Sequence, residues 1–303
     1  MSIAYRDVTL RDGLQLAGKN LPTARKVELV RELFAIGVEH IEVGSMARPD
    51  LVPTMADTLD VIAALTDAER DRVWVWVATP RHVERAAAAG ARNFQYCFSA
   101  SDSHNRANIG RDTATSLDAM PDAIAAASAV NGSVQLCIAT SFTCPFEGDI
   151  PIERFTSILD DPRTDGAVDV VVCDTLGQAH PAEVERRVGL AAERRPGLGV
   201  VYHGHDTWGL GVANASAAAA GGATVVDGAL GGLGGCPFAP GASGNTATED
   251  LVFAFRPEWL NPERFGELVR LGEEITSTLE EPNRSRARAG ARSKAEAFDW
   301  VLR

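Results

Sequence analysis

The sequence predicts an α/β protein built as a closed (β/α)8 TIM barrel with additional C-terminal helices. Two observations carry this prediction: eight short apolar, β-branched segments recur along the chain, and segments of helical character separate them. Such apolar runs are typical of parallel strands buried on both faces, and their regular alternation with helices favours a closed barrel. An open, doubly wound sheet could also contain eight strands and is the alternative on pattern alone.

Each predicted strand has an apolar centre bounded by polar or glycine-rich residues. Helical segments lie between the strands, for example 23–37, 82–90 and 213–222, and several close with a glycine where a helix would stop. The predicted strands are 3–10, 38–44, 72–78, 91–99, 133–141, 167–174, 198–206 and 223–230.

No linker or internal repeat divides the chain, so residues 1–281 are predicted to form a single catalytic domain. Residues 257 to about 283 are expected to add one or two helices to it. Residues 282–303 are predicted to form a basic tail, because 282–296 read PNRSRARAGARSKAE. A basic segment of this composition is typical of a solvated or disordered end.

The composition excludes several classes of partner. The chain has 303 residues and a net charge of −12, which argues against nucleic acid because phosphate backbones require an excess of Lys and Arg. Five cysteines at irregular spacing argue against a secreted disulfide framework and favour a reducing compartment. The N-terminus enters a strand-like pattern within three residues, and no apolar run reaches the length of a membrane span. We therefore predict a cytoplasmic protein without a membrane or nucleic-acid partner.

Polar residues gather where five of the eight predicted strands end. Because TIM barrels place their sites at the C-terminal ends of the strands, we expect these residues to share one site. The first strand ends in DVTLRDGLQ, with Arg11, Asp12 and Gln15, and the second ends in IEVGS, with Glu42 and Ser45. The sixth ends in CDT, with Asp174 and Thr175, and the seventh in HGHD, with His203, His205 and Asp206. The eighth runs into the glycine-rich loop GGLGGCPFAPGASGN at 231–245.

His203 and His205 are two residues apart on a predicted strand, so their side chains point to the same face. Two such histidines make half of a metal site, and a hydrogen-bonded pair at a strand end is the alternative. Asp12 and Asn245 could complete a set of nitrogen and oxygen ligands, which suits Mg²⁺ or Mn²⁺ better than structural zinc. Arg11 could stabilise negative charge on a reacting oxygen, or form a salt bridge to Glu42 or Asp174.

These residues together resemble the acyl-CoA lyases of the 3-hydroxy-3-methylglutaryl-CoA lyase type, within the superfamily of metal-dependent TIM-barrel lyases, aldolases and Claisen synthases. The GGCP cysteine loop is the most specific part of the resemblance, which covers roughly residues 3–255. The matching motifs are DVTLRDGLQ (7–15), IEVGS (41–45), VPTMAD (52–57), FSASDSHNRANIG (98–110), CPFEG (144–148), HGHDTWGLGVAN (203–214) and GGLGGCPFAPGASGNTATED (231–250).

The resemblance implies a role for each matched position. Arg11, Asp12, Glu42, His203 and Cys236 would be catalytic, with Arg11 at the enolate oxygen and Cys236 as proton donor or acceptor. The metal ligands would be Asp12, His203, His205 and Asn245, with Mg²⁺ or Mn²⁺ as the cation. Substrate would be bound by Gln15, Ser45, Asn108, Asp174 and Thr175, with Glu249 supporting the site. A homodimer is also implied.

The implied reaction is a retro-Claisen cleavage of an acyl-CoA, such as 3-hydroxy-3-methylglutaryl-CoA, to acetyl-CoA and a keto acid such as acetoacetate. Leu10 stands where these lyases usually have proline and is more like the synthases and aldolases. Phe146 replaces a usual tyrosine, and residues 46–51 depart from the usual run near the substrate entrance. A Claisen synthase or aldolase, a lyase for another 3-hydroxyacyl-CoA such as citramalyl-CoA, and a non-catalytic barrel are the alternatives.

Overall fold

A computed structural model describes residues 3–238, 243–295 and 297–302, and its central feature is a closed barrel of eight parallel strands. The predicted TIM barrel is thereby confirmed, and the open-sheet alternative is wrong. We label the barrel strands β1 to β8. They are Ala4–Asp7, His40–Ser45, Val73–Val77, Asn93–Ser99, Ser133–Ala139, Asp169–Asp174, Gly199–Gly204 and Val225–Gly228.

The strands are buried on both faces, as their apolar composition predicts. In β3, which reads VWVWV, all residues are buried. The barrel closes where β1 pairs with β8 in parallel register, with Arg6 opposite Asp227. Strand β1 is shorter than predicted, because Thr9–Gly13 forms a π-helical turn at its C-terminal end. Such turns are frequent at functional sites, and this one carries Arg11 and Asp12.

Helices surround the barrel, and one glycine shows how closely they pack. Gly37 ends the first long helix with φ of 130°, and a Cβ added there would lie 2.6 Å from the Trp259 ring. Among the described residues no helix is long and apolar enough to span a membrane. The α-helices are Thr23–Ile36, Thr58–Ala64, Asp67–Arg70, Pro80–Ala88, Asp102–Ile109, Thr113–Asp118, Met120–Ser128, Ile152–Leu159, Pro181–Arg194, Gly211–Ala220, Thr248–Phe255, Pro262–Leu279 and Arg286–Ala291.

Small elements decorate the loops around the barrel. A two-stranded antiparallel ribbon pairs Thr143–Cys144 with Gly148–Asp149 between β5 and β6. Single 3₁₀ turns occupy Pro53–Met55, Pro162–Thr164 and Leu230–Gly232. The last of these turns lies at the start of the glycine-rich loop.

The start of the basic segment 282–303 contacts the helices of the barrel. The Asp250 carboxylate accepts a hydrogen bond from the Ser285 hydroxyl at 2.7 Å, which holds the start of the last helix. Arg288 in that helix donates to Glu273 at 2.8 Å. The barrel's own helices thus supply acidic partners for this part of the segment, which its composition alone does not reveal.

Candidate active site

A cavity of about 550 Å³ opens at the C-terminal ends of the barrel strands, where the sequence places the site. Its walls come from strands and loops that are far apart in sequence. Most of the predicted site residues line it together. They are Arg11, Asp12, Gln15, Ser45, Asn108, Thr175, His203, His205 and Cys236.

The two histidines and Asp12 form a compact, buried cluster in this cavity. One ligand atom from each of Asp12, His203 and His205 lies within 4.8 Å of the other two. His205 Nε2 is 3.5 Å from Asp12 Oδ1, and the centroids of the two imidazole rings are 5.3 Å apart. The two histidines therefore share a face, as their spacing on the seventh strand predicts.

Asn245 joins the cluster from the end of the glycine-rich loop. Its Nδ2 donates to Asp12 Oδ1 at 2.9 Å and to the Leu233 carbonyl at 2.9 Å. Its Oδ1 is buried and has no hydrogen-bond partner among the described residues. A buried acceptor without a partner is costly, and coordination of a cation would satisfy it. Two imidazoles, a carboxylate and an amide oxygen therefore fit a divalent cation.

The Asp12 carboxylate is held in its ionised form. Burial alone would raise its pKa, but the Arg11 guanidinium and the neighbouring His205 hold that pKa well below its ordinary value. Arg11 also contacts the carboxylate directly. The cluster therefore retains the negative charge that a divalent cation requires.

Arg11 lies between the cluster and a second buried carboxylate. Its Nε is 3.6 Å from Glu42 Oε2, and its guanidinium lies 5.5 Å from the centre of the Trp76 ring. Burial raises the pKa of Glu42, and Arg11 opposes that rise. Of the two salt-bridge partners considered for Arg11, the structure therefore places Glu42 beside it and holds Asp174 elsewhere.

The glycine-rich loop places Cys236 on the cavity wall. Gly234 has φ of 110°, and a Cβ there would lie 2.5 Å from Asn245 Nδ2 and 2.9 Å from Asp12 Oδ1. Only glycine lets the backbone pass so close to the cluster. Phe238 packs against His104, with ring centres 5.0 Å apart, and so docks the loop at the cavity mouth. Residues 239–242 of this loop, including Pro240, lie outside the described residues.

Asp174 and Glu249 are buried outside the cavity. The Asp174 oxygens accept hydrogen bonds from the backbone N–H groups of Gln178 and Ala179 at 3.1 and 3.2 Å. Asp174 was expected at the substrate, but these contacts direct its carboxylate to the loop after β6. Both Glu249 oxygens lie 3.0 Å from the Gly231 N–H, so Glu249 supports the start of the cysteine loop.

Glu249 makes stability depend on pH. Burial raises its pKa from 4.5 to about 8, so the folded chain retains a proton that the unfolded chain releases within this window. The ionisation of Glu249 therefore lowers the free energy of unfolding as pH rises from about 5 to 8. We expect Glu249→Gln to gain stability relative to the unaltered protein over this range, by on the order of a few kcal/mol. Urea unfolding of both proteins across the range measures this, and parallel pH profiles would contradict it.

The sequence interpretation missed Arg6 and Asp227, which lie beneath the cavity, and Gln95, which lines it. Asp227 Oδ2 is 3.0 Å from His203 Nδ1, and the Arg6 guanidinium pairs with the same carboxylate. Gln95 donates to Glu42 from β4. The sequence did contain a signal for Arg6 and Asp227. They carry opposite charges within two predicted buried strands, and a buried charge requires a partner. Only closure of the barrel makes β1 and β8 neighbours.

Comparison with known proteins identifies the relatives of this chain. The family model described as HMGL-like matches residues 2–270. A hydroxymethylglutaryl-CoA lyase of Bacillus subtilis is 35% identical over 251 residues, covering 83% of this chain and 84% of the relative. An (R)-citramalyl-CoA lyase of Chloroflexus aurantiacus is 39% identical over 264 residues, covering 84% and 83% respectively.

Solved structures agree with these relatives. The structure of an HMG-CoA lyase from Acinetobacter baumannii in complex with coenzyme A and 3-methylmalate has a TM-score of 0.88 and 31% identity, covering 97% of this chain and 96% of that one. The HMG-CoA lyase of Bacillus subtilis has a TM-score of 0.87 at 32% identity, covering 96% and 98%. The resemblance drawn from the motifs is therefore confirmed. The chain belongs to the HMGL-like family and is a carbon–carbon lyase of the hydroxymethylglutaryl-CoA lyase type.

Proposed function

We propose that this protein cleaves a 3-hydroxy-3-methylglutaryl-CoA-like substrate to acetyl-CoA and acetoacetate with the help of Mg²⁺ or Mn²⁺. The observation that carries the proposal is the meeting of Asp12, His203, His205 and Asn245 with Arg11 at one cavity, whose wall also carries Cys236. In this retro-Claisen reaction the 3-hydroxyl loses its proton and the C2–C3 bond breaks. The electrons of that bond form the enolate of acetyl-CoA, and C2 then takes up a proton.

Asp12, His203, His205 and Asn245 are the residues that would hold the cation. The ionised carboxylate and the unsatisfied Asn245 oxygen support this assignment. A bound divalent cation would supply Lewis-acid polarisation of the substrate oxygens. Asp12 and His203 are catalytic in this proposal because they would hold the cation at the substrate oxygens; both line the cavity.

Arg11 is the group we assign to the developing enolate. Its guanidinium is fixed against Asp12 and Glu42 and stacks near Trp76 before any substrate arrives. A donor held in advance where charge develops stabilises the transition state without reorganisation. Glu42 acts by keeping the Arg11 guanidinium oriented. The proposed contacts for the rest of the substrate are Gln15, Ser45, Asn108 and Thr175.

A second substrate is favoured by one observation. The citramalyl-CoA lyase of Chloroflexus aurantiacus shares 39% identity with this chain, above the 35% of the Bacillus subtilis enzyme. Both candidate substrates carry a 3-hydroxyl and a carboxylate, so the cluster suits either one. Incubation of the purified protein and Mg²⁺ with each acyl-CoA, followed by measurement of acetyl-CoA, separates them. Release from citramalyl-CoA alone would reassign the substrate, and release from neither would refute both proposals.

Cys236 is the group we assign to proton transfer at C2. We expect Cys236→Ala to lower kcat by about 100-fold or more, the typical effect of losing one acid–base group. Mn²⁺ affinity should be nearly unchanged, since the thiol is not among the proposed ligands. Steady-state kinetics and a Mn²⁺ titration measure the two effects. Cys144→Ala is the matched control, because Cys144 is also buried but lies outside the cavity wall. Unchanged turnover in Cys236→Ala would remove Cys236 from the mechanism.

The assembly and compartment are further proposals. The family resemblance supports a homodimer, which sedimentation of the purified protein would test. The five cysteines form no disulfide, which supports a reducing compartment such as the cytoplasm. Fractionation of cells producing the protein would test that assignment.

A further inference from the structure

Arg6 lies on β1 inside the barrel, beneath the active-site cavity, and is 1% exposed. Its Nε and Nη2 donate to the two oxygens of Asp227 at 2.9 and 2.7 Å. The same guanidinium donates to Gln135 Oε1 at 2.7 Å and to Gln95 Oε1 at 3.0 Å. Four hydrogen bonds therefore fix the orientation of one planar group, which no flexible ammonium could reproduce.

One branch from Arg6 leads to the proposed metal ligands. Asp227 accepts from Arg6 on one side, and its Oδ2 lies 3.0 Å from His203 Nδ1 on the other. This contact occupies Nδ1 and leaves Nε2 as the ring nitrogen available to a cation. A carboxylate behind a ligating histidine sets the orientation of the ring.

A second branch leads to the residue proposed at the enolate. Gln95 accepts from Arg6 through Oε1 and donates through Nε2 to Glu42. Glu42 in turn lies 3.6 Å from Arg11 Nε. Each polar group in this branch is buried, so each has a single arrangement that satisfies its neighbours.

We propose that Arg6 is a positioning residue for both halves of the active site, orienting His203 through Asp227 and Arg11 through Gln95 and Glu42. This inference rests on the proposed metal-dependent function. A buried ion pair that served only the fold would end at Asp227. Here the hydrogen-bond contacts continue from Arg6 to His203 and to Arg11 at the cavity. A change in the orientation of the Arg6 guanidinium should therefore alter the orientation of these two side chains as well as the stability of the fold.

The test uses one variant for each branch and reads Mn²⁺ binding to the metal-stripped protein alongside kcat. Asp227→Asn should raise the Mn²⁺ dissociation constant by about 10–100-fold, the usual effect of changing the partner of a ligating histidine. Gln95→Met should leave that constant and KM unchanged and lower kcat by up to about 100-fold, because Arg11 loses its alignment. Gln95 also lines the cavity, so a raised KM with unchanged kcat would show a substrate contact and contradict this branch. Arg6→Lys keeps the positive charge but lacks the planar guanidinium, so it should both raise the Mn²⁺ dissociation constant and lower kcat.

Gln135→Met is the matched control, because Gln135 also contacts Arg6 but leads to Asp169 on the barrel rather than to the cavity. It should lower the thermal midpoint and change Mn²⁺ affinity and kcat less than Asp227→Asn and Gln95→Met do, because the other three hydrogen bonds to Arg6 remain. The proposal is overturned if Asp227→Asn binds Mn²⁺ like the unaltered protein, or if Gln135→Met changes the site as much as the other variants. Absence of Mn²⁺ binding in the unaltered protein would instead refute the proposed metal site itself. Asp227→Asn and Gln95→Met each decide their own branch if Arg6→Lys fails to fold.

Discussion

Replacing His205 by alanine is expected to weaken Mn²⁺ binding by more than about 100-fold and to remove nearly all turnover. Changes to the partners of metal ligands cost about 10–100-fold in affinity, so loss of a ligand should cost more. His205 is 3% exposed and its Nε2 lies 3.5 Å from Asp12, so alanine leaves a gap in the middle of the cluster. Titration of the metal-stripped variant with Mn²⁺ measures the effect.

His180→Ala is the matched control for this experiment. His180 is exposed and lies outside the cavity wall, so its loss should leave both Mn²⁺ binding and turnover unchanged. An unaltered Mn²⁺ titration in His205→Ala would show that the ligand assignment is wrong. A loss of binding in both variants would show that the effect does not come from the cluster.

The second large effect is expected from Arg11→Met, which should lower kcat by about 100-fold to 1000-fold. Removal of one preorganised donor at a developing oxyanion has effects of this size. Methionine preserves much of the side-chain volume beside Trp76 but supplies no charge and no N–H group. Single-turnover kinetics with saturating Mn²⁺ would isolate the chemical step from metal binding.

Arg11→Lys separates charge from geometry at this position. Lysine keeps the positive charge next to Asp12 and Glu42, but it lacks the planar fork that contacts both carboxylates. We expect its kcat to fall between those of the unaltered protein and Arg11→Met. If Arg11→Met folds and retains kcat within about tenfold, a difference of only about 1.4 kcal/mol, the oxyanion role is refuted.

The placement of Asp174 shows a limit of predictions from the strand-end motif CDT at 173–175. Asp174 is the last residue of β6, at the cavity end of the barrel, as the motif implies. The backbone N–H groups of Gln178 and Ala179 nevertheless donate to its two carboxylate oxygens. A strand-end position therefore predicts that a residue is near the mouth but not which way its side chain turns. That direction depends on the path of the following loop, which the motif does not contain.

The contacts of apolar residues at the mouth of the cavity were likewise not predictable from the sequence. Phe238 of the cysteine loop packs against His104 and Phe146, with ring centres 5.0 and 5.7 Å apart. Phe146 is thus a contact of the loop, whereas the sequence marked it only as a departure from a usual tyrosine. These contacts join two loops and a helix that are far apart in sequence, so no local pattern could have revealed them.

The sequence by itself determined the barrel, the face shared by His203 and His205, and the membership of the proposed metal cluster. These features follow from local rules, because alternation along a strand sets side-chain direction and the ends of parallel strands meet at one edge. Only the tertiary structure decided how Arg6 and Asp227 are satisfied and how Ser285 is held at the start of the last helix. Both contacts join residues more than 20 positions apart in the sequence. Barrel closure and helix packing bring these residues together, and no local periodicity predicts that.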